Sequence, residues 1–421
     1  MSSLSRDRQM RGARIVALIA FTVLRGGPAA AADYELLPIL EAGVETNTNR
    51  DLATDTAEEF DGEGYIANVG ADMRWRTQRS TTTLRPVAKF QEYPDSSGLE
   101  GVEGSLDLRS AYTFQRAQVN FALGYSHRDW YNAELPDAIY NPVNPDDPTV
   151  PETGALREGE SRDRINLAPK YEYQLSERVG LGGVAYYETS SYDAEGDTST
   201  GGVDYDFIRA NLFASWLAGP VTRFEVGPFA SRYDAQDEPT QTDAIGLSIG
   251  LKHDWSEEFK GLLDLGYFEE DREGEDLVSD GKDSGWTANA SIERRGEVSR
   301  LRGGVGRAYS PSGRGGVTES DQFRVEYDRD WTARLSTTLA ARYVRDRFRG
   351  DVETASDYDY WRGELGFKYF FSLKWYVLGG YRYTWRDSVD TDESADNSSF
   401  YLRVGFSPGG AQRSRLFMRD R

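Results

Sequence analysis

Residues 64–76, GYIANVGADMRWR, alternate between two kinds of side chain without a break. One set is Tyr65, Ala67, Val69, Ala71, Met73 and Trp75, and the other includes Asn68, Gly70, Asp72, Arg74 and Arg76. A period of two predicts a β-strand whose two faces meet different surroundings. The fold therefore depends on which of these faces meets water.

The same alternation recurs along the chain and predicts eighteen strands. Their predicted bounds are 40–44, 64–76, 83–91, 105–114, 117–125, 164–173, 179–187, 207–216, 223–230, 244–255, 262–267, 286–293, 300–309, 322–331, 335–344, 361–370, 375–385 and 400–406. Short and long connections alternate between them, which predicts an up-and-down antiparallel meander with its loops on one side. After residue 24 no run of apolar residues is long enough to form a transmembrane helix.

The aromatic residues favour lipid over water on the apolar face. Eight tryptophans fall on that face at predicted strand ends: Trp75, Trp216, Trp255, Trp286, Trp331, Trp361, Trp375 and Trp385. Trp130 is the exception, at the start of the longest loop. Six tyrosines are predicted near the loop-side ends: Tyr65, Tyr125, Tyr187, Tyr267, Tyr309 and Tyr343. Two aromatic rows flanking an apolar band are typical of a barrel in a membrane.

The other face is charged, which predicts a water-filled lumen. Its basic residues are Arg74, Arg85, Lys89, Arg109, Lys170, Arg209, Arg302, Arg324, Arg342, Arg362, Arg382 and Arg403. Burying so many charges in a dry core costs several kcal/mol for each unpaired ion. We therefore expect an all-β fold: a transmembrane, up-and-down antiparallel β-barrel of about eighteen strands (16–18), with short periplasmic turns and long extracellular loops. The mean hydropathy of −0.64 and net charge of −21 do not contradict this, because the two faces cancel in any average.

The N-terminal segment reads as an export signal. Four arginines precede the apolar run 15–24, and small residues follow it, so we predict a signal peptide over 1–32. The barrel is predicted over 33–408 and a periplasmic tail over 409–421. The chain has no cysteine, which a sheet that closes on itself does not need. The predicted location is the outer membrane.

The last predicted strand, FYLRVGF (400–406), resembles the C-terminal signal of Gram-negative outer-membrane β-barrels, although fifteen residues follow it here. The segment LPILEAGVETNTNRD (37–51), followed by strands rich in Tyr and Arg, is similar to the β-barrel porin 2 family. That resemblance implies a link to exopolysaccharide export. It also implies contact with outer-membrane lipid and lipopolysaccharide, and insertion by the barrel-assembly machinery.

These features predict a passive channel for a polar solute. The basic residues of the lumen would attract an anionic solute such as an acidic polysaccharide; alternatively, the lumen charges pair across strands and brace the barrel. The proline-rich loop 131–162 is predicted to fold inward as a plug. Nothing in the sequence points to a cofactor, a metal site or a nucleic-acid partner.

Two other functions remain open. The first is a non-conducting structural or adhesive barrel that binds a partner through acidic loops such as 191–200 and 388–397. The second is a lipid hydrolase built around His127 on the outer wall. Ser126 cannot serve as its nucleophile, because adjacent residues of a strand point to opposite faces. A serine from a neighbouring strand could take its place, but the sequence signals none, so we expect no enzyme activity.

Overall fold

The computed structural model describes residues 33–49, 52, 61–94, 101–129, 160–194, 202–236, 240–274, 281–313, 315–349, 357–388 and 393–408. The predicted signal peptide, the predicted tail, Trp130 and nearly all of the predicted plug 131–162 lie outside these residues.

The described chain contains eighteen β-strands, as the sequence predicted. They are β1 (Asp33–Asn47), β2 (Gly62–Arg76), β3 (Ser80–Glu92), β4 (Gly101–Thr113), β5 (Ala117–Asp129), β6 (Glu160–Gln174), β7 (Val179–Ala194), β8 (Tyr205–Gly219), β9 (Thr222–Ala235), β10 (Gln241–Asp254), β11 (Phe259–Glu273), β12 (Gly281–Arg295), β13 (Ser299–Ser312), β14 (Gly316–Asp330), β15 (Leu335–Arg349), β16 (Tyr358–Phe370), β17 (Trp375–Ser388) and β18 (Ser394–Phe406).

Each strand pairs antiparallel with its neighbours in sequence, and β1 also pairs with β18. The closing register runs from Leu40 opposite Phe406 to Asn47 opposite Ser399. The sheet is therefore a closed barrel without a crossover. Closure satisfies the backbone donors and acceptors of the wall internally, as a membrane requires.

The two ends of the barrel differ. One end, called here the turn end, carries Asp33, Phe406 and the short turns; the other, the loop end, carries the longer connections. Five turns place a serine or threonine hydroxyl where it accepts a hydrogen bond from the first N–H of the following strand: Thr77, Ser176, Ser256, Thr332 and Ser372, at 2.9–3.1 Å. Such local bonds favour tight turns.

Most strands extend further toward the loop end than the alternation predicted. β7 reaches Ala194 rather than residue 187, and β12 begins at Gly281 rather than residue 286. Toward the loop end, the apolar alternation stops where the outer face no longer contacts lipid. The backbone pairing of the strands continues beyond that point in polar sequence. The sequence pattern therefore marks the lipid-facing part of each strand rather than its full length.

The large apolar side chains that are exposed within the strands all share one face of the wall. Ile245 and Leu212 are 67% and 65% exposed, whereas Tyr233 and Glu188, on the opposite face, are 0% exposed. The exposed apolar face is the outside of the barrel, and the charged face is the inside. This band is the surface that hydrocarbon covers in bacterial outer-membrane barrels.

The eight predicted tryptophans lie at the two rims of the outer face. Trp75, Trp216, Trp255, Trp331 and Trp375 are at the turn end, and Trp286, Trp361 and Trp385 are near the loop end. Trp375 packs against the ring of Phe406 with 5.1 Å between ring centroids. Within the described residues, no helix is long and apolar enough to cross a bilayer.

We expect Ile249→Arg, in the middle of β10 on the outer face, to lower the free energy of unfolding in lipid vesicles by about 2–4 kcal/mol. The matched control is Gln241→Arg at the loop end of the same face, for which the expected change is about 0–1 kcal/mol. Urea unfolding of vesicle-embedded protein measures both. Equal, small changes at the two positions would show that this face meets water.

Candidate functional site in the barrel interior

All twelve basic residues predicted for the lumen lie on the inner face. They are Arg74, Arg85, Lys89, Arg109, Lys170, Arg209, Arg302, Arg324, Arg342, Arg362, Arg382 and Arg403, each in register with inward-facing partners. Their predicted role, contact with a passing solute, is taken up below as part of a proposal.

Many of these cations are held by carboxylates across the wall. Arg85 Nε is 3.3 Å from Asp72 Oδ1, and Lys89 Nζ is 3.4 Å from Glu103 Oε2. Arg403 Nη2 lies 3.5 Å from Glu45 Oε2. Arg209 instead stacks over the Phe229 ring, 4.4 Å from its centroid. Cross-strand pairing therefore braces the inner wall, which is one of the two roles that the sequence left open.

A cavity of about 500 Å³ lies inside the turn-end half of the barrel. Its charged lining residues are Arg85, Arg300, Arg302, Lys368, Arg382, Arg403, Glu41, Asp72, Glu326, Asp328 and Glu364. Lys368 Nζ sits 3.8 Å from the centroid of the Tyr376 ring, and the Tyr376 hydroxyl donates to Glu41 at 2.6 Å. The cavity thus presents charges of both signs beside aromatic faces.

At the loop end, the hairpin of β13 and β14 leaves the barrel wall. β12 and β13 pair only as far as Ala288 opposite Arg307, although both strands continue beyond. β13 and β14 stay paired to Ser312 opposite Gly316. Residues 308–313 and 315–318, called here the inserted hairpin, separate from β12 and bend into the barrel.

The inserted hairpin reaches across part of the interior to the wall at β8 and β9. The Tyr233 hydroxyl on β9 donates to the carbonyl of Ser312 at 3.1 Å, and the Val203 N–H donates to the carbonyl of Gly313 at 2.7 Å. Ser310, Ser312 and Thr318 are fully buried. The hairpin therefore occupies part of the cross-section near the mouth.

Apolar side chains fill the space around this hairpin. The cluster consists of Ala168, Tyr186, Tyr205, Phe207, Phe229, Tyr233, Ala235, Ala244, Phe268, Tyr309 and Val317. Fully burying one large apolar side chain contributes about 1.5–3 kcal/mol. The loop-end half of the barrel thus has a packed core along β6–β11, whereas the turn-end half contains the charged cavity.

Tyr309 corrects one prediction from the sequence. It was expected near the loop-side rim of the outer face, but it is 6% exposed and its ring lies 4.6 Å from that of Phe268 inside the barrel. The alternation is intact at Tyr309. The strand itself bends inward after Arg307, so the same parity no longer points to lipid.

One arginine links the base of the inserted hairpin to the wall. Arg349 Nη1 is 3.0 Å from Glu270 Oε1, and Arg349 Nη2 is 3.2 Å from Glu319 Oε2. The same Nη2 donates to the carbonyl of Ser284 at 3.4 Å. Arg349 on β15 therefore joins β11, β12 and β14 where the pairing of β12 with β13 is lost. The Glu270 side chain is fully buried, and Arg272 Nε lies farther from it, at 3.7 Å, so removing Arg349 would be costly.

A second segment narrows the mouth from the other side. Leu52, between β1 and β2, is buried against Val344, Tyr360 and Ala395 on the inner face. Its φ of 52° is in the left-handed region, which costs a leucine energy and persists where the surroundings hold it. Arg386 Nη2 holds it by donating to the Leu52 carbonyl at 2.8 Å.

The sequence does contain a feature that sets the inserted hairpin apart. Residues 308–318, AYSPSGRGGVT, contain a single charged residue, Arg314, whereas the loop 269–283 is strongly charged. A connection with only one charged residue that also carries Tyr and Val is compatible with burial of most of its length. The predicted plug was placed instead at 131–162, because of its length and its prolines.

The outer-wall histidine lies in a small polar group. His127 Nδ1 is 3.1 Å from Asp163 Oδ1, which also accepts a hydrogen bond from the Tyr125 hydroxyl at 2.8 Å. Ser126 faces the interior, away from His127. Among the described residues, no group of three or more His, Cys, Asp or Glu side chains could hold a metal ion.

No protein-family model matches the sequence, and no curated protein matches it. Among solved structures, the chain is similar to Pseudomonas aeruginosa OccK2 (OpdF) in complex with glucuronate, at 11% identity and a TM-score of 0.44, covering 89% of this chain and 98% of that one. It is also similar to a BenF-like porin from Pseudomonas fluorescens Pf-5, at 11% identity and a TM-score of 0.44, covering 89% and 99%. A third is Pseudomonas aeruginosa OccK9 (OpdG), at 13% identity and a TM-score of 0.42, covering 89% and 98%.

Arg349→Gln is expected to loosen the inserted hairpin. Because the chain has no cysteine, Ser312→Cys reports the position of the hairpin through its labelling by a water-soluble maleimide. We expect slow labelling of S312C and labelling at least about tenfold faster in S312C/R349Q, since loss of about 1.4 kcal/mol of anchoring suffices.

The matched control is S312C/R232Q, because Arg232 pairs with Asp243 on the outer face, away from the hairpin. L373C, on an exposed turn, should label quickly in every background. Equal labelling rates in S312C and S312C/R349Q would show that Arg349 does not hold the hairpin.

Proposed function

We propose that this outer-membrane β-barrel is a passive channel for a small polar solute, narrowed at its loop end by the inserted hairpin. The observation that carries the proposal is the cavity of about 500 Å³ at the turn end, lined by charges of both signs within an apolar-coated barrel. Charged groups of both signs around a space of this size suit water and a hydrated solute rather than lipid.

We propose further that the solute is anionic, with an acidic oligosaccharide as the leading candidate. The inner wall of β13–β17 supports an anionic solute, because Arg300, Arg302, Arg324, Arg342, Arg362, Lys368, Arg382 and Arg386 face five acids, Glu326, Asp328, Asp330, Asp346 and Glu364. The aromatic faces beside Lys368 and Arg382 suit the apolar faces of sugar rings. The family resemblance of the sequence implies the same class of solute.

The membrane setting follows from the outer wall. We propose that the two tryptophan rows lie at the two headgroup regions, with the turn end in the periplasm. Lipopolysaccharide would then surround the loop-end rim. Phe406, packed on Trp375, would end the strand that the barrel-assembly machinery recognises.

A specific observation favours a second function, a non-conducting barrel. The inserted hairpin, the aromatic cluster and Leu52 together fill much of the mouth. In that case the barrel would act as a scaffold, with its acidic loops binding a partner.

Planar-bilayer recording separates the two functions. We expect purified wild-type protein to give discrete open steps in potassium chloride. A variant in which residues 309–319 are replaced by Asn-Gly, a two-residue turn joining the paired residues Ala308 and Ser320, should give larger steps because the inserted hairpin is gone.

Open steps in the wild type, enlarged in the variant, support a channel narrowed by the hairpin. A wild type without conductance steps contradicts the channel. If the variant alone conducts, the hairpin seals the barrel. If neither protein conducts, the scaffold function is supported. Conducting proteins with equal steps would show that the hairpin does not narrow the path.

A further inference from the structure

Three arginines on the inner face lie directly opposite one another on adjacent strands. The register pairs Arg324 on β14 with Arg342 on β15, and Arg342 with Arg362 on β16. Neighbouring strands are ~4.8 Å apart, so the row places three guanidinium groups along roughly 10 Å of the wall. Like charges directly opposite each other destabilise a sheet.

The rest of the inner wall shows how cross-strand positions are otherwise used. Arg302 is opposite Glu326, Arg382 is opposite Glu364, Arg85 is opposite Asp107 and Lys89 is opposite Glu103. These pairs place a cation against an anion, which stabilises the sheet. The row Arg324–Arg342–Arg362 departs from that arrangement at two successive pairs.

Another like-charged pair shows how the sheet can compensate for repulsion. Arg295 and Arg300 are opposite each other near the turn end, and Glu293 Oε1 lies 2.5 Å from one Nε and 2.6 Å from the other. The carboxylate between them offsets one of the two positive charges and contacts both guanidinium groups.

The carboxylates beside the arginine row are shared. Glu326 contacts both Arg302 and Arg324, the latter at 2.6 Å. Glu364 lies 3.8 Å from Arg362 and 3.6 Å from Arg382. Each of these glutamates therefore contacts two guanidinium groups. Asp328 is a third carboxylate, 3.7 Å from Arg302, so the arginines of the row and its flanks outnumber these carboxylates.

The row lies on the inner wall between the turn-end cavity and the Leu52 cluster. Glu326 and Glu364 line the turn-end cavity and are each one inward position from Arg324 and Arg362. Val344 and Tyr360, in the Leu52 cluster, are each one inward position from Arg342 and Arg362 on the loop side. None of the three arginines lines the cavity itself; the row lies one inward position from its lining residues, on the loop-end side.

We propose that Arg324, Arg342 and Arg362 form a binding site for a solute that carries two or more carboxylate or phosphate groups. This inference rests on the proposed channel and names the solute class that its interior selects. The planar fork of each guanidinium binds an oxyanion through two hydrogen bonds. A solute whose anionic groups repeat at about the strand spacing of ~4.8 Å would bridge adjacent arginines and reduce their mutual repulsion.

The first test measures ion selectivity. In planar bilayers under a potassium chloride gradient, we expect the wild type to prefer chloride, and Arg342→Gln to lower the chloride-to-potassium permeability ratio by at least about twofold. The matched control is Arg345→Gln, on the outer face of the same strand, where Arg345 pairs with Asp359. Its permeability ratio should equal that of the wild type.

The second test does not need conduction. Citrate, added to detergent-solubilised protein at constant ionic strength against choline chloride, should raise the Tm of the wild type and of R345Q by several degrees. We expect the rise to be lost in R342Q and reduced in Arg342→Lys, which keeps the charge but not the fork. Intact folding of each variant is checked by its heat-modifiable migration on gels.

The two tests separate this site from the channel proposal. A wild type that gives no current, with a citrate effect lost in R342Q, supports the binding site and contradicts the channel. A conducting wild type with equal selectivity and equal citrate effects in R342Q and R345Q overturns the binding site and leaves the channel. A citrate effect of equal size in all variants also overturns the site.

Discussion

The structure depends on one separation: apolar side chains occupy one face of a closed sheet and ionic side chains the other. Closure through β1 and β18 removes the sheet edges, so the wall can cross hydrocarbon with its backbone paired. The same alternation sends arginines and carboxylates inward, where they need water or partners. Reversing the two faces would bury dozens of charges against lipid, so the placement of every other feature follows from this choice.

The interior has two parts, which are stabilised by different interactions. At the turn end, ion pairs such as Arg85–Asp72 line a water-accessible cavity and brace the wall. At the loop end, an aromatic cluster packs around the inserted hairpin, and Arg349 joins the hairpin to the wall at the buried Glu270. This barrel thus combines a packed core at the loop end with a polar cavity at the turn end. The arginine row lies on the inner wall between the cavity and the Leu52 cluster, one inward position from residues of each.

The eighteen strands could be predicted because a period of two is a local property of the sequence. The loop-end bounds of the strands could not be predicted, because strand pairing outside the lipid needs no apolar alternation. The inward bend after Arg307 was missed, since parity assigns Tyr309 to a face without saying where the strand goes. The sequence around Leu52 does not indicate its contact with Val344, because the two residues are far apart in the chain. The alignment of Arg324, Arg342 and Arg362 also required the register, which strand patterns leave undetermined to within a few residues.

The most direct test of the central separation is tryptophan fluorescence in vesicles made with brominated lipids. Indoles on the outer face, gathered at two rims, should be quenched most by bromines placed high on the acyl chains and least by bromines near the bilayer centre. Strongest quenching from the bilayer centre would contradict the two rims. Fluorescence unaffected by any brominated lipid would show that the apolar face does not meet the membrane at all.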